Sequence, residues 1–206
     1  MVGAPPALTR LAAAVAFRAT VTLMLAAAVP GAFAAPAAYV VTGNCRDGQP
    51  HGAYELRMRD GTLRVAGAFT RGKRTGTFLF WSTSGARIAL LPYDDDLLSG
   101  TVALWHSAGN PKTEPGPKLA AVYANGRRAG GTRSWYRDGR PRAEFRYEND
   151  VLTEARAWTT TGASLPESEA RALAVRDLTA DEQFYTTLEA IVRDNPPQCE
   201  GIGRKP

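Results

Sequence analysis

GTFLFWSTSG (residues 76–85), GTVALWHSAG (100–109) and GGTRSWYRDG (130–139) are three castings of one template. Each opens on glycine (Gly76, Gly100, Gly130), places tryptophan five residues on (Trp81, Trp105, Trp135) and closes on glycine four residues later (Gly85, Gly109, Gly139). The chain has four tryptophans, and the remaining one, Trp158, keeps the frame, with Gly162 four residues after it and Thr153 in the place of the leading glycine. Upstream, Gly52 and Gly61 hold the same spacing around Arg57. Five copies therefore begin at 52, 76, 100, 130 and 153, and self-similarity at such a period is the mark of a stacked array.

Further along each of the first four copies an aromatic residue precedes a turn: Phe69 before Gly72, Tyr93 before Asp96, Tyr123 before Gly126 and Tyr147 before Asp150. Apolar residues alternate between these landmarks, as in Tyr54 and Leu56, Phe78 and Phe80, Val102 and Leu104, or Ile88 and Leu90. A period of two means strands with one face turned inward. Asp60-Gly61, Asn125-Gly126 and Asp138-Gly139 supply dipeptides that accept positive φ in tight hairpins. Each copy thus reads as a hairpin, and the array as an elongated antiparallel meander. Tryptophan falls one residue beyond the last inward position, which predicts an aromatic ladder on the opposite side, structural in the first instance and alternatively a strip for sugars or lipid.

The pattern resembles the MORN repeat, in the divergent form of many bacterial proteins, some of which carry antitoxin-like labels. The resemblance covers about residues 50–163. The first copy departs from it at Arg57, the third by an insertion around Pro111 to Pro117, and the fifth at Thr153. MORN-like arrays are associated with scaffolding, dimerisation and membrane or lipid contact, and the resemblance implies these roles without choosing between them.

The flanks bound the setting. Arg10 and Arg18 lead into the apolar run from Ala19 to Val29, then Pro30 and Ala32-Phe33-Ala34. That order is a secretory signal over residues 1–34. Its apolar core is too short to span a bilayer, which needs about 20 residues. Export places Cys45 and Cys199, the two cysteines, in an oxidising compartment, where one disulfide is expected. Without the signal arginines the 25 basic and 20 acidic residues become 23 and 20, a net charge of +3, which is not a nucleic-acid-binding balance.

After Gly162 the periodicity turns helical. Ser164-Leu-Pro-Glu167 and Thr179-Ala-Asp-Glu182 have the form of capping boxes, so two helices are expected over residues 164–195, ended by Asn195-Pro196-Pro197. Five hairpins span on the order of 45 Å at about 4.8 Å per strand. About 29 helical residues cover about 43 Å, so the helices can run back along the sheet and deliver Cys199, in the tail 196–206, to Cys45, in the segment 35–51.

No nucleophile motif is present, and His51 and His106 are read as surface or packing residues, so catalysis has no support and no cofactor or metal site is expected. Asp94, Asp95 and Asp96 lack the spacing of a calcium loop and read as a solvated turn. The strongest candidate surface is the fourth copy. Arg133, Arg137, Arg140 and Arg142 interleave there with Trp135, while Thr132 and Ser134 occupy positions that are apolar elsewhere, suggesting an exposed polar face or a surface for an anion. The expected role is a non-enzymatic, exported binding or scaffold module of the periplasm or cell envelope. Its partner would be a protein or an envelope component, with peripheral lipid contact as a further expectation. The alternative is an immunity protein that neutralises a toxin in the periplasm.

Overall fold

The computed structural model describes residues 38–107 and 116–199; the signal segment and the centre of the third-copy insertion, Gly109 included, lie outside the described residues. The strands are β1 (Tyr39–Arg46), β2 (Gln49–Met58), β3 (Leu63–Thr70), β4 (Lys73–Trp81), β5 (Arg87–Asp94), β6 (Leu97–Leu98), β7 (Gly100–Trp105), β8 (Pro117–Ala124), β9 (Arg127–Trp135), β10 (Pro141–Glu148) and β11 (Val151–Ala157). One helix, α1 (Glu167–Arg193), follows. All strands form a single antiparallel sheet in chain order, with the two-residue β6 paired to β5 at the margin. The first four copies supply β2–β3, β4–β5, β7–β8 and β9–β10, and the fifth supplies β11. Strand β1, from the segment before the repeats, adds an edge that the periodicity does not reveal.

Two turn types alternate. Asp47-Gly48, Arg71-Gly72, Asp95-Asp96, Asn125-Gly126 and Asn149-Asp150 each carry two successive positive φ values, the conformation of a type I′ hairpin. Asp60-Gly61 and Asp138-Gly139 differ from that expectation, for only their glycines are left-handed and the connections are longer. The second residue of a tight turn also ties its hairpin to the preceding one. The backbone N–H groups of Gly72, Asp96, Gly126 and Asp150 donate to the carbonyls of Pro50, Arg74, Leu98 and Arg128. The aspartate triplet is thereby a structural turn, with the Asp96 carboxylate accepting from both the backbone N–H and Nε of Arg74. At the leading position of a copy, Gly100 (φ +117°) and Gly130 (φ +144°) adopt backbone closed to other residues, and a Cβ would press on Pro92 or Val122 at 3.2 Å.

The inward residues of β2–β8 form one core, from Tyr54 and Leu56 through Phe78, Phe80, Leu91, Val102 and Leu104 to Leu119. Aromatic rings meet edge-on there, Tyr54 on Phe69, Phe69 on Phe78 and Phe78 on Tyr93. Gly67 is the gap that Phe78 fills, since a Cβ there would fall 2.6 Å from the ring. A smaller cluster of Ala143, Phe145, Tyr147 and Ala157 receives Ala170 and Ala174 of the helix.

Helix α1 crosses the sheet from the last strand to the first. Asp177 meets Arg142 on β10, Asp181 meets Arg128 on β9, and Tyr185 packs on Tyr123 of β8. Glu189 accepts from Tyr93 of β5 and Arg74 of β4, and the carbonyl of Asn195 accepts from the Tyr54 hydroxyl of β2. Cys199 then bonds Cys45 on β1, with the Cα atoms 5.6 Å apart. Residues 170 to 195 rise about 38 Å at 1.5 Å each, and the eight strand intervals from β11 to β2 span about 38 Å at 4.8 Å each, so the helix lies across the strands.

The expectation of two helices is corrected: α1 is unbroken. Thr179 sits in mid-helix, its Oγ1 bonding the carbonyl of Val175. The stretch around it has no glycine or proline to stop the helix, and Asp181 is committed to Arg128 rather than to a cap. The first box is unused as well. Ser164 bridges to Trp158, and α1 begins at Glu167 with Pro166 at its N-cap and no side-chain cap. Glu167 and Glu169 in the first turn face the positive end of the helix dipole.

The tryptophan ladder also takes a different form. Trp81, Trp105 and Trp135 fall on alternate strands about 9.6 Å apart, twice the strand spacing. The strands between fill the row: Arg87 opposes Trp81, Pro117 opposes Trp105 and Pro141 opposes Trp135. The Arg87 guanidinium also lies 4.2 Å over the Trp105 ring. Among the described residues no two tryptophan rings stack on each other.

Candidate binding surfaces around the fourth repeat

The fourth copy breaks the core's apolar rule from within. Thr132 and Ser134 stand where the other copies have Tyr54 and Leu56, Phe78 and Phe80, or Val102 and Leu104, and they are buried under α1, not exposed as one sequence reading had it. Arg128, 1% exposed, enters the same layer. Its Nη2 donates to Asp181 at 2.9 Å, its Nε to the Tyr123 hydroxyl at 2.9 Å, and its guanidinium lies 5.3 Å from the Tyr147 ring centre. Burial works against the Arg128 charge, but Tyr123 and Asp181 outweigh it and hold the guanidinium protonated. Burial pushes the Asp181 carboxyl above the usual carboxylate range, and Arg128 offsets part of that rise. Two buried atoms of this layer, Arg128 Nη1 and Thr132 Oγ1, have no hydrogen-bond partner among the described residues, while the Tyr185 hydroxyl meets that of Tyr123. Each such group costs about 1–3 kcal/mol.

Beside this layer, between α1 and β7–β10, a cleft of about 260 Å³ opens. A bulge between Pro141 and Ala143 turns Arg142 to the helix side. Arg142 grips Asp177 through both Nη atoms, at 2.5 and 2.9 Å, and this bond, against the opposing effect of burial, raises its pKa. His106 Nε2 donates to the carbonyl of Trp135 at 3.0 Å. Lys118 lies 5.7 Å from the Phe184 ring centre, and Arg137 Nη1 donates to the carbonyl of Ser107 at 2.9 Å. Neither Lys118 nor Arg137 has a carboxylate partner among the described residues. Leu119, Ala180, Trp135 and Tyr136 complete the wall.

The other face of the sheet carries a row in continuous register, Ala66, Leu79, Leu90, Ala103 and Ala120, one residue per strand from β3 to β8. At β9 it becomes charged, continuing through Arg133, Glu144 and Arg156. Arg133 lies 3.3 Å from Glu144, and Arg146 3.5 Å from Glu154. These pairs are exposed and contribute little to stability. Among the described residues no helix or strand packs over this face.

The five basic-copy candidates therefore separate. Trp135, Arg137 and Arg142 border the cleft, Arg133 belongs to the opposite face, and Arg140 folds onto Asp138 of its own turn. Reading the repeats alone missed Lys118, Asp177 and Asp181. The signal for the two aspartates lay in α1, where they interrupt the stripe that Ala170, Ala174, Tyr185, Leu188 and Val192 otherwise keep apolar. Among the described residues no three of His, Cys, Asp and Glu converge to hold a metal ion. The Cys45–Cys199 disulfide is consistent with a non-cytosolic protein, and no described helix is long and apolar enough to cross a membrane. Comparison with known families and with curated proteins finds no match to this chain.

Proposed function

We propose that this chain is a non-enzymatic, exported, MORN-like module that binds or scaffolds a partner in the cell envelope through the sheet face opposite α1. The observation that carries the reading is the uncovered row from Ala66 to Ala120, flanked by Trp81 and Trp105 on one side and ending in the Arg133–Glu144–Arg156 lattice. A contiguous apolar band rimmed by charge is the anatomy of a docking surface. The two most buried charged side chains among the described residues, Arg128 and Asp181, fasten the helix to the sheet. The signal-like residues 1–34 and the disulfide support an oxidising, exported setting.

A photo-crosslinking residue in place of Leu90, in cells exporting the chain, tests this. One defined adduct is expected there and not with the same group at Val175, on the outer side of α1. Equal labelling at both positions, or none at Leu90, overturns the proposal.

A further inference from the structure

We propose that the cleft between α1 and β7–β10 is a binding site for a monoanionic carboxylate group, received by Lys118 and Arg137. This site lies on the helix side of the sheet and is independent of the docking face.

Its charges make the case. Asp177 is taken by Arg142 and Asp181 by Arg128. Lys118 and Arg137 are the two lining cations that close no ion pair with a described carboxylate; Lys118 acts on Asp181 only at longer range, and its ammonium lies over the Phe184 ring. Four cations, Lys118, Arg128, Arg137 and Arg142, against the two aspartates leave a formal charge of +2 around the cleft. That field attracts an anion. The same two carboxylates in the walls disfavour a doubly charged phosphate and leave room for a single negative charge. A planar carboxylate also matches the forked donors of an arginine. The volume of about 260 Å³ admits a side chain or small metabolite, with Leu119 and Ala180 to receive its apolar part.

The layer behind the cleft supports a binding role. Asp181 and Ser134 form part of the wall; Arg128, bonded to Asp181, and Thr132, two residues before Ser134 on β9, each carry a buried nitrogen or oxygen with no partner among the described residues. The other copies fill this position with Phe78 and Phe80 or Val102 and Leu104, which carry no polar side-chain atom to satisfy. Polar groups retained where an apolar pair packs elsewhere, at a cost in stability, are a feature of functional sites.

The carboxylate could belong to a free small molecule or to an acidic side chain of a partner protein, and two probes separate these sources. N-acetylglycine presents a free carboxylate, and N-acetylglutamate methylamide presents a side-chain carboxylate within a peptide frame. Each is titrated at constant ionic strength into the oxidised chain labelled with ¹⁵N, following the amides of Ser134 to Arg137 and Ala180. N-acetylglycinamide serves as the neutral control. Saturable shifts with at least one acid and none with the amide are expected. Binding should weaken about tenfold or more in Lys118→Gln/Arg137→Gln, as loss of charge-assisted contacts requires, while Arg46→Gln, which removes a charge on β1 at the far edge of the sheet, binds as the wild type. Circular dichroism verifies that the double variant is folded. Preference for one probe identifies the source. Shifts that fail to saturate, that match those of the amide, or that persist unchanged in the folded double variant overturn the proposal.

Discussion

Asp181→Ala is the most informative single change. It removes the carboxylate that meets Arg128 at 2.9 Å and leaves a guanidinium that is 1% exposed, with one nitrogen already unpartnered. The loss is governed by an uncompensated buried charge, which costs about 3–5 kcal/mol when one partner of a buried pair is deleted. The partly exposed pair one turn earlier on the helix provides the scale. Arg142 and Asp177 retain 28% and 20% of their side-chain exposure, so water screens them and Asp177→Ala should cost about 1 kcal/mol. Urea unfolding of the oxidised chains, followed by circular dichroism, measures both. The double variant Arg128→Met/Asp181→Ala removes both charges and should recover most of the loss, because an apolar pair of similar volume packs without desolvation. If Asp181→Ala lost no more than Asp177→Ala, or the double variant were as unstable as the single, the pair would not be the buried fastening described above.

Three further outcomes follow from packing, crosslinking and titration. Gly67→Ala should destabilise by about 1–3 kcal/mol because its Cβ collides with the buried Phe78 ring; Gly131→Ala, whose Cβ meets nothing within 4 Å, should be neutral or slightly stabilising in the same denaturation assay. Reducing Cys45–Cys199, which joins residues 154 apart, should lower stability by about 5 kcal/mol on the chain-entropy account, and limited proteolysis should then release the C-terminal end of α1 first. Burial pushes Tyr54 up to about 12 and also raises Tyr93, Tyr123, Tyr147 and Tyr185. An unfolded tyrosine ionises near 10, so the folded chain holds these protons when the unfolded chain releases them. Stability is therefore unaffected below about pH 10 and falls as pH rises through 10–12, with tyrosinate absorbance increasing abruptly on unfolding.

The strands were legible because a two-residue alternation and a 24-residue period reinforce each other through Trp81 and Trp105, and a one-residue slip would reverse both faces. The disulfide and the return of the chain across the sheet were legible because Cys45 and Cys199 stand at opposite ends of a body whose length the strand count sets. Local motifs misled where tertiary partners outweighed them. Thr179-Ala-Asp-Glu182 has the form of a helix start, yet continuing the helix places Asp181 on Arg128. The arginines of the fourth copy look alike in the sequence, but strand register and one bulge send Arg133 to one face and Arg142 to the other. Lys118 offered no periodic signal, for its place in the cleft depends on how α1 passes over β8.

The path of α1 bears on how the molecule comes apart. A linear array whose units touch only their neighbours loses structure from its ends inward, each unit melting nearly on its own. Here a single rod is fastened to β10, β9, β8, β5, β4 and β2, and a covalent bond ties it to β1. Fraying at either terminus must therefore break fastenings at the far side, so the chain should melt in one cooperative step, and opening the bond should return it to the stepwise behaviour of an ordinary solenoid.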